Sequence, residues 1–97
     1  MVSHDQMLLA SFAASRDEQA FVTLVRRYER LVRSVCRRVL RDQHLAEDAF
    51  QASFLILASQ AKSLSQGDRP LAPWLQTVAT NAALQLRRTR FRSQQRE

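Results

Sequence analysis

The sequence predicts an all-α domain, a compact bundle of three to four helices. Three observations carry that reading. Ala, Leu, Arg, Gln and Glu dominate, and these side chains lose little freedom in a helix. One Gly and two Pro in 97 residues leave too few turns for an all-β fold. Apolar residues recur at three- and four-residue spacing over long stretches, the period of an amphipathic helix. Residues 1–97 suit a single domain with an ordered core over about 17–92 and a modest interior.

A short first helix is expected over Asp5–Ala14, with Met7, Leu8 and Phe12 apolar. Ser15 and Glu18 then have the spacing of a capping box. The second helix should run over Asp17–Leu40. Phe21, Leu24, Val25, Tyr28, Leu31, Val32, Val35 and Val39 form its apolar side, and Arg26, Arg27, Arg30, Arg33, Arg37 and Arg41 its outer side. Asp42-Gln43-His44 interrupts the pattern, and a third helix follows over Leu45–Ala61. Lys62–Pro70 reads as the one loop, rich in turn formers. Asp68 can cap the last helix and Pro70 suits its first turn. That helix covers Leu71–Arg92 and buries Leu71, Trp74, Leu75, Val78, Ala79, Ala82 and Leu86, with Trp74 a core anchor. The polar tail after Phe91 is expected to fray.

The third helix holds more than a core face needs. At about 100° per residue, Ala46, Phe50, Ser53, Phe54 and Leu57 gather on one side. Asp48, Gln51, Ala52, Leu55 and Ser59 point the other way. An acid, an amide and a large apolar residue facing outward suit a docking surface. The unbroken run Phe54–Leu57 points the same way, because a helix that only walls a core alternates apolar with polar.

The last helix carries a second pattern. Thr77, Asn81, Leu84 and Arg88 lie at i, i+4, i+7 and i+11 and share one strip. Hydroxyl, amide and guanidinium groups on one strip suit contact with bases and phosphates, whereas a plain solvent face would carry Glu and Lys. Charge agrees. The formal net charge is +6, of which +2 lies in residues 1–62 and +4 in residues 63–97. Fourteen of the fifteen basic residues are Arg, whose planar fork of donors matches phosphate and base edges. A polyanion, nucleic acid above all, is the favoured partner.

Other functions find little support. Cys36 is the single cysteine, so no internal disulfide can form, and a buried inert thiol is the expectation. His4 and His44 lack partners at metal-ligand spacing, so no metal or other cofactor is expected. Glu47 and Asp48 have no nucleophile or apolar pocket beside them, so no enzyme is expected. No signal peptide and no run long enough for a membrane span is present, which suits a reducing cytoplasm.

Three blocks together resemble region 2 of the sigma-70 family of bacterial RNA polymerase initiation factors, the extracytoplasmic-function group most of all. They are Phe21-x-x-Leu24-x-x-x-Tyr28, Ala46-Glu47-Asp48-Ala49-x-Gln51-x-x-Phe54, and Trp74-Leu75-x-x-Val78-Ala79-x-Asn81 with Arg87 and Arg88. The likeness covers about Asp17–Arg92. It implies a domain that binds core RNA polymerase, recognises and melts the promoter −10 element, and works in the cytoplasm at the bacterial nucleoid. Asp48, Gln51, Leu55 and Phe54 would grip the clamp helices of the β′ subunit. Ser63, Leu64, Ser65, Gln66, Gly67, Asp68 and Arg69 would capture a base flipped from the non-template strand. Thr77, Asn81, Leu84, Arg87, Arg88, Arg90 and Arg92 would contact the −10 DNA. An anti-sigma factor is a further candidate partner. Two departures stand out. The helix-turn-helix domain that reads the −35 element is absent from these 97 residues, and no aromatic residue lies between Lys62 and Ala72, where housekeeping members use several to melt DNA. Two rival readings stay open: a small regulator of duplex DNA, and an interaction module for polymerase or an anti-sigma factor without promoter melting.

Overall fold

The computed structural model describes residues 3–95. Five helices follow one another: α1 His4–Ser15, α2 Glu18–Val39, α3 Gln43–Ser59, α4 Ala61–Gln66 and α5 Leu71–Gln95. The described residues include no strand, in agreement with the expected all-α bundle, which gains one short helix.

Local chemistry sets the boundaries. Ser3 and Gln6 close a reciprocal capping box at the start of α1. Arg16 ends α1 in the left-handed region, at φ 55°, with its N–H donating to the Phe12 carbonyl and its guanidinium over the Phe12 ring. The capping box expected of Ser15 and Glu18 does not form. Ser15 is the last residue of α1, and its hydroxyl donates to the Ser11 carbonyl. Asp17 caps α2 instead: one carboxylate oxygen accepts the N–H groups of Gln19 and Ala20, the other the Ser11 hydroxyl. The two oxygens of one carboxylate thus serve α1 and α2 at once.

Packing decides the rest. α5 lies against α2 and α3, and α1 lies against α2 and α4. Leu24, Val32, Leu57 and Leu75 are fully enclosed at the centre. In α1 the buried pair is Leu9 and Phe12, whereas Met7 is 59% exposed. In α5, Leu71, Leu75, Ala79 and Ala83 form the deepest stripe, with Val78, Ala82 and Leu86 half-buried beside it. Buried Cys36 lies beside Ser53, whose hydroxyl donates to the Ala49 carbonyl, and burial pushes the Cys36 thiol up from its ordinary pKa.

Several boundaries differ from the sequence reading, among them those of α3, which begins at Gln43 rather than Leu45 and ends at Ser59 rather than Ala61. Residues 62–66 of the expected loop are helical, within α4, because Ala61 is buried and Leu64 packs on the core where α4 meets α1. The end of α5 does not fray at Phe91 but continues to Gln95, since no Gly or Pro stops it and Arg90 is tied to Asp42. Pro70 precedes α5 rather than entering its first turn, and Pro73 takes the first-turn place, where an N–H is not needed.

Candidate functional site

The outer face of α3 follows from its inner one. Ala46, Ala49, Phe50, Ser53, Phe54 and Leu57 are buried, so Asp48, Gln51 and Leu55, at i, i+3 and i+7, are turned to solvent. Leu55 is 71% exposed, and Ile56 adds apolar surface next to it. Phe54 does not belong to this face. It is 6% exposed and meets Phe50 edge-on, with ring centroids 5.1 Å apart. Its register with Phe50 and Leu57 pulls it inward.

The face is braced from α2. Glu47 accepts a hydrogen bond from the Arg33 guanidinium at 2.6 Å, and the same guanidinium lies over the Phe50 ring at 4.0 Å. These contacts tie the N-terminal half of α3 to α2, and Asp48 has no cationic partner within ion-pair distance among the described residues.

The residues expected to form a base-capturing loop divide into two groups. Ser63, Leu64, Gly67 and Arg69 line a cleft of about 270 Å³ together with Gln60 and Trp74. Ser65, Gln66 and Asp68 do not line it. Ser65 instead donates its hydroxyl to the Lys62 carbonyl within α4. Trp74 is a half-buried wall of this cleft rather than a fully enclosed core anchor. An aromatic face beside amide, hydroxyl and guanidinium groups suits a planar heterocycle with polar edges. Gln60 and Trp74 were not legible as site residues, because only the α4 turn brings them across from Ser63 and Arg69. The available signal was the place of Trp74 in the first turn after the loop.

On α5, Thr77, Asn81 and Arg88 are exposed and Leu84 is half-buried, so the predicted strip forms. Arg87 and Arg92 are exposed at its C-terminal end. Arg90 is different. It lies in register with Ala79, Ala83 and Leu86, on the side that faces the bundle, and its guanidinium reaches the Asp42 carboxylate at 3.2 Å. Asp42 is the N-cap of α3, and the N–H groups of Leu45 and His44, then Arg90, hold its carboxyl below the usual range against an opposing desolvation. Arg87, Arg90, exposed Phe91 and Arg41 border one shallow cleft over Leu40 and Leu45.

Among the described residues, no three of His, Cys, Asp and Glu come together as a metal site, and no helix is long and apolar enough to cross a membrane.

Residues 24–97 match the family model for sigma-70 region 2. The RNA polymerase sigma factor CarQ of Myxococcus xanthus is 38% identical over 66 residues, which cover 68% of this chain and 37% of that protein. The chain thus spans little more than a third of that relative's length. No solved structure matches.

Proposed function

The chain belongs to the sigma-70 region 2 family, and from that premise we propose that it acts in transcription initiation, binding core RNA polymerase and recognising and melting the promoter −10 element. The observation that carries this reading is the pair of solvent faces on two helices that pack against each other. One is Asp48, Gln51 and Leu55 on α3; the other is Thr77, Asn81, Leu84 and Arg88 on α5. A domain that joins a protein to DNA needs two such surfaces on one rigid core.

In finer detail, the α3 face docks on the clamp helices of the β′ subunit, in the manner of an extracytoplasmic-function sigma factor. The exposed Leu55 supplies the apolar centre and Asp48 and Gln51 its polar rim. The cleft between α4 and α5 takes a base flipped from the non-template strand. Flipping costs a few kcal/mol of stacking and pairing. Stacking on Trp74 and hydrogen bonds from Gln60, Ser63 and Arg69 offset that cost. Asn81 reads a base edge, while Arg87, Arg88 and Arg92 hold phosphates. Such a domain works in the bacterial cytoplasm, at the nucleoid, where an anti-sigma factor can compete for the same faces.

Pull-down with isolated β′ clamp helices tests the docking half. Asp48→Ala with Gln51→Ala is expected to abolish capture, and capture left intact overturns it. Binding to single-stranded −10 DNA tests the other half. Affinity for the single strand should exceed that for the duplex and should fall with Asn81→Ala. Tighter binding to duplex favours a plain duplex-binding regulator instead.

A further inference from the structure

The proposed docking face, base cleft and α5 strip leave one strongly charged surface unused. Arg26, Arg30, Arg33 and Arg37 occur at i, i+4, i+7 and i+11 along the outer side of α2, with Arg38 at the edge of the same side. Arg30, Arg33, Ser34, Arg37 and Arg38 line an open groove of about 520 Å³, and no acidic residue lines it. Arg33 forms a fixed wall through its bond to Glu47 and its stacking over Phe50. Arg30, Arg37 and Arg38 are exposed and have no carboxylate within ion-pair distance among the described residues.

Three uncompensated guanidinium groups, spread over about 12 Å of helix, repel one another, and no internal contact offsets that repulsion. The chain leads from this side of α2 toward the C-terminal end of α5. Three residues beyond Arg38, Arg41 borders the neighbouring cleft together with Arg87 and Arg90. The one acid at that junction, Asp42, is already satisfied by Arg90 and by its own helix N–H groups. Arg30, Arg37 and Arg38 on one cleft are thus followed along the chain by Arg41, which shares the next cleft with Arg87.

We propose that the α2 groove is a second nucleic-acid contact, gripping the phosphate backbone of promoter DNA that continues from the end of α5 over Arg41 to Arg30, Arg37 and Arg38. The proposal rests on the reading of α5 as a DNA-contacting helix. An acidic protein segment is the less fitting occupant. The groove is lined by four Arg and one Ser, with no aromatic or aliphatic side chain to seat an apolar anchor from a partner protein. Arg forks without apolar anchors suit repeated phosphates. The contact carries no sequence information, because guanidinium groups on phosphate do not see base edges.

The test is a salt titration of DNA binding by the 97-residue chain, with Arg30→Gln, Arg37→Gln and Arg38→Gln combined. The probes are a duplex and a single strand, each with the −10 sequence and with a scrambled one, and fold is checked by circular dichroism. The expected result is a slope of log affinity against log salt shallower by about 2–3 on the duplex, with affinity lowered equally for both sequences. Arg37→Gln alone should lower the slope by about 1 and serves if the triple variant does not fold. An unchanged slope overturns the proposal. So does an unchanged slope with lost polymerase binding, which assigns the groove to a protein partner. If the unaltered chain shows no preference for the −10 sequence while the variant still flattens the slope, the promoter reading of α5 fails and the groove stands.

Discussion

Arg90, near the end of α5, lies 3.2 Å from Asp42, the residue that caps the start of α3. One ion pair thus ties the helix proposed to contact DNA to the helix proposed to contact polymerase. It also removes Arg90 from the set of arginines free to meet phosphate, a role its neighbours Arg88 and Arg92 keep. Arg90→Ala should therefore flatten the salt dependence of DNA binding far less than Arg88→Ala, which is expected to lower the slope by about 1. Equal effects in a salt titration would mean that the pair opens when DNA arrives.

Asp42 also sets an acid limit. Its folded-state pKa is depressed, first by the Leu45 N–H, then by the His44 N–H and Arg90. A depressed carboxyl contributes stability above its unfolded value, and this is lost as pH falls through the folded one. The melting temperature should drop below about pH 4, the ordinary range for Asp. Asp42→Asn, which can still cap α3, should show a smaller drop on acidification. An identical profile in the two proteins would count against the linkage.

Phe54 and Leu55 are neighbours in sequence with opposite duties. Phe54→Ala should cost about 3–5 kcal/mol, the usual loss for a buried aromatic. Leu55→Ala should leave stability within about 0.5 kcal/mol, because the side chain already meets solvent. Denaturant unfolding measures both. On the proposed reading, Leu55→Ala weakens capture by the β′ clamp helices in spite of its unchanged stability.

Tyr28 sets the alkaline limit. Burial, then its hydrogen bond to Asp5 and the charge of that carboxylate, raise its pKa to about 12. The same Asp5 also meets Arg27, so α1 is clasped to α2 at this point. A raised pKa means that the neutral phenol is favoured in the fold. Its stabilising share is complete below the ordinary tyrosine value of about 10 and is lost between there and about 12. Unfolding curves across that window should lose more stability in the parent than in Tyr28→Phe, where the raised Cys36 thiol still contributes a loss. A Tyr28→Phe protein with the same alkaline loss would overturn the assignment.

Much of this was legible in the chain. The period of α2 and α3 and the outward turn of Asp48, Gln51 and Leu55 follow from the 3.6-residue repeat, which acts locally. So does the strip Thr77, Asn81, Leu84 and Arg88. Even the divergence of Arg90 from Arg88 was available, since Arg90 keeps register with Ala79, Ala83 and Leu86. Phe54 illustrates a mixed case. Its place in a docking motif and its place in the apolar stripe disagreed, and only contact with Phe50 resolved them.

What the sequence determined by itself was therefore the helical class, the faces of each long helix and the excess of arginine, because backbone periodicity and charge are properties of neighbours along the chain. What only the tertiary structure decided was set by partners far apart in sequence. The segment 61–66 has no long apolar repeat of its own and becomes a helix because Ala61 and Leu64 are covered as α4 meets α1. That same turn carries Ser63 to Trp74 and makes a cleft out of what reads as a loop. The pairing of Arg33 with Glu47, and of Arg90 with Asp42, likewise sorts the arginines into those that brace the fold and those left free for a partner. Charge count cannot make that division, since it depends on which carboxylate the folded chain brings within reach.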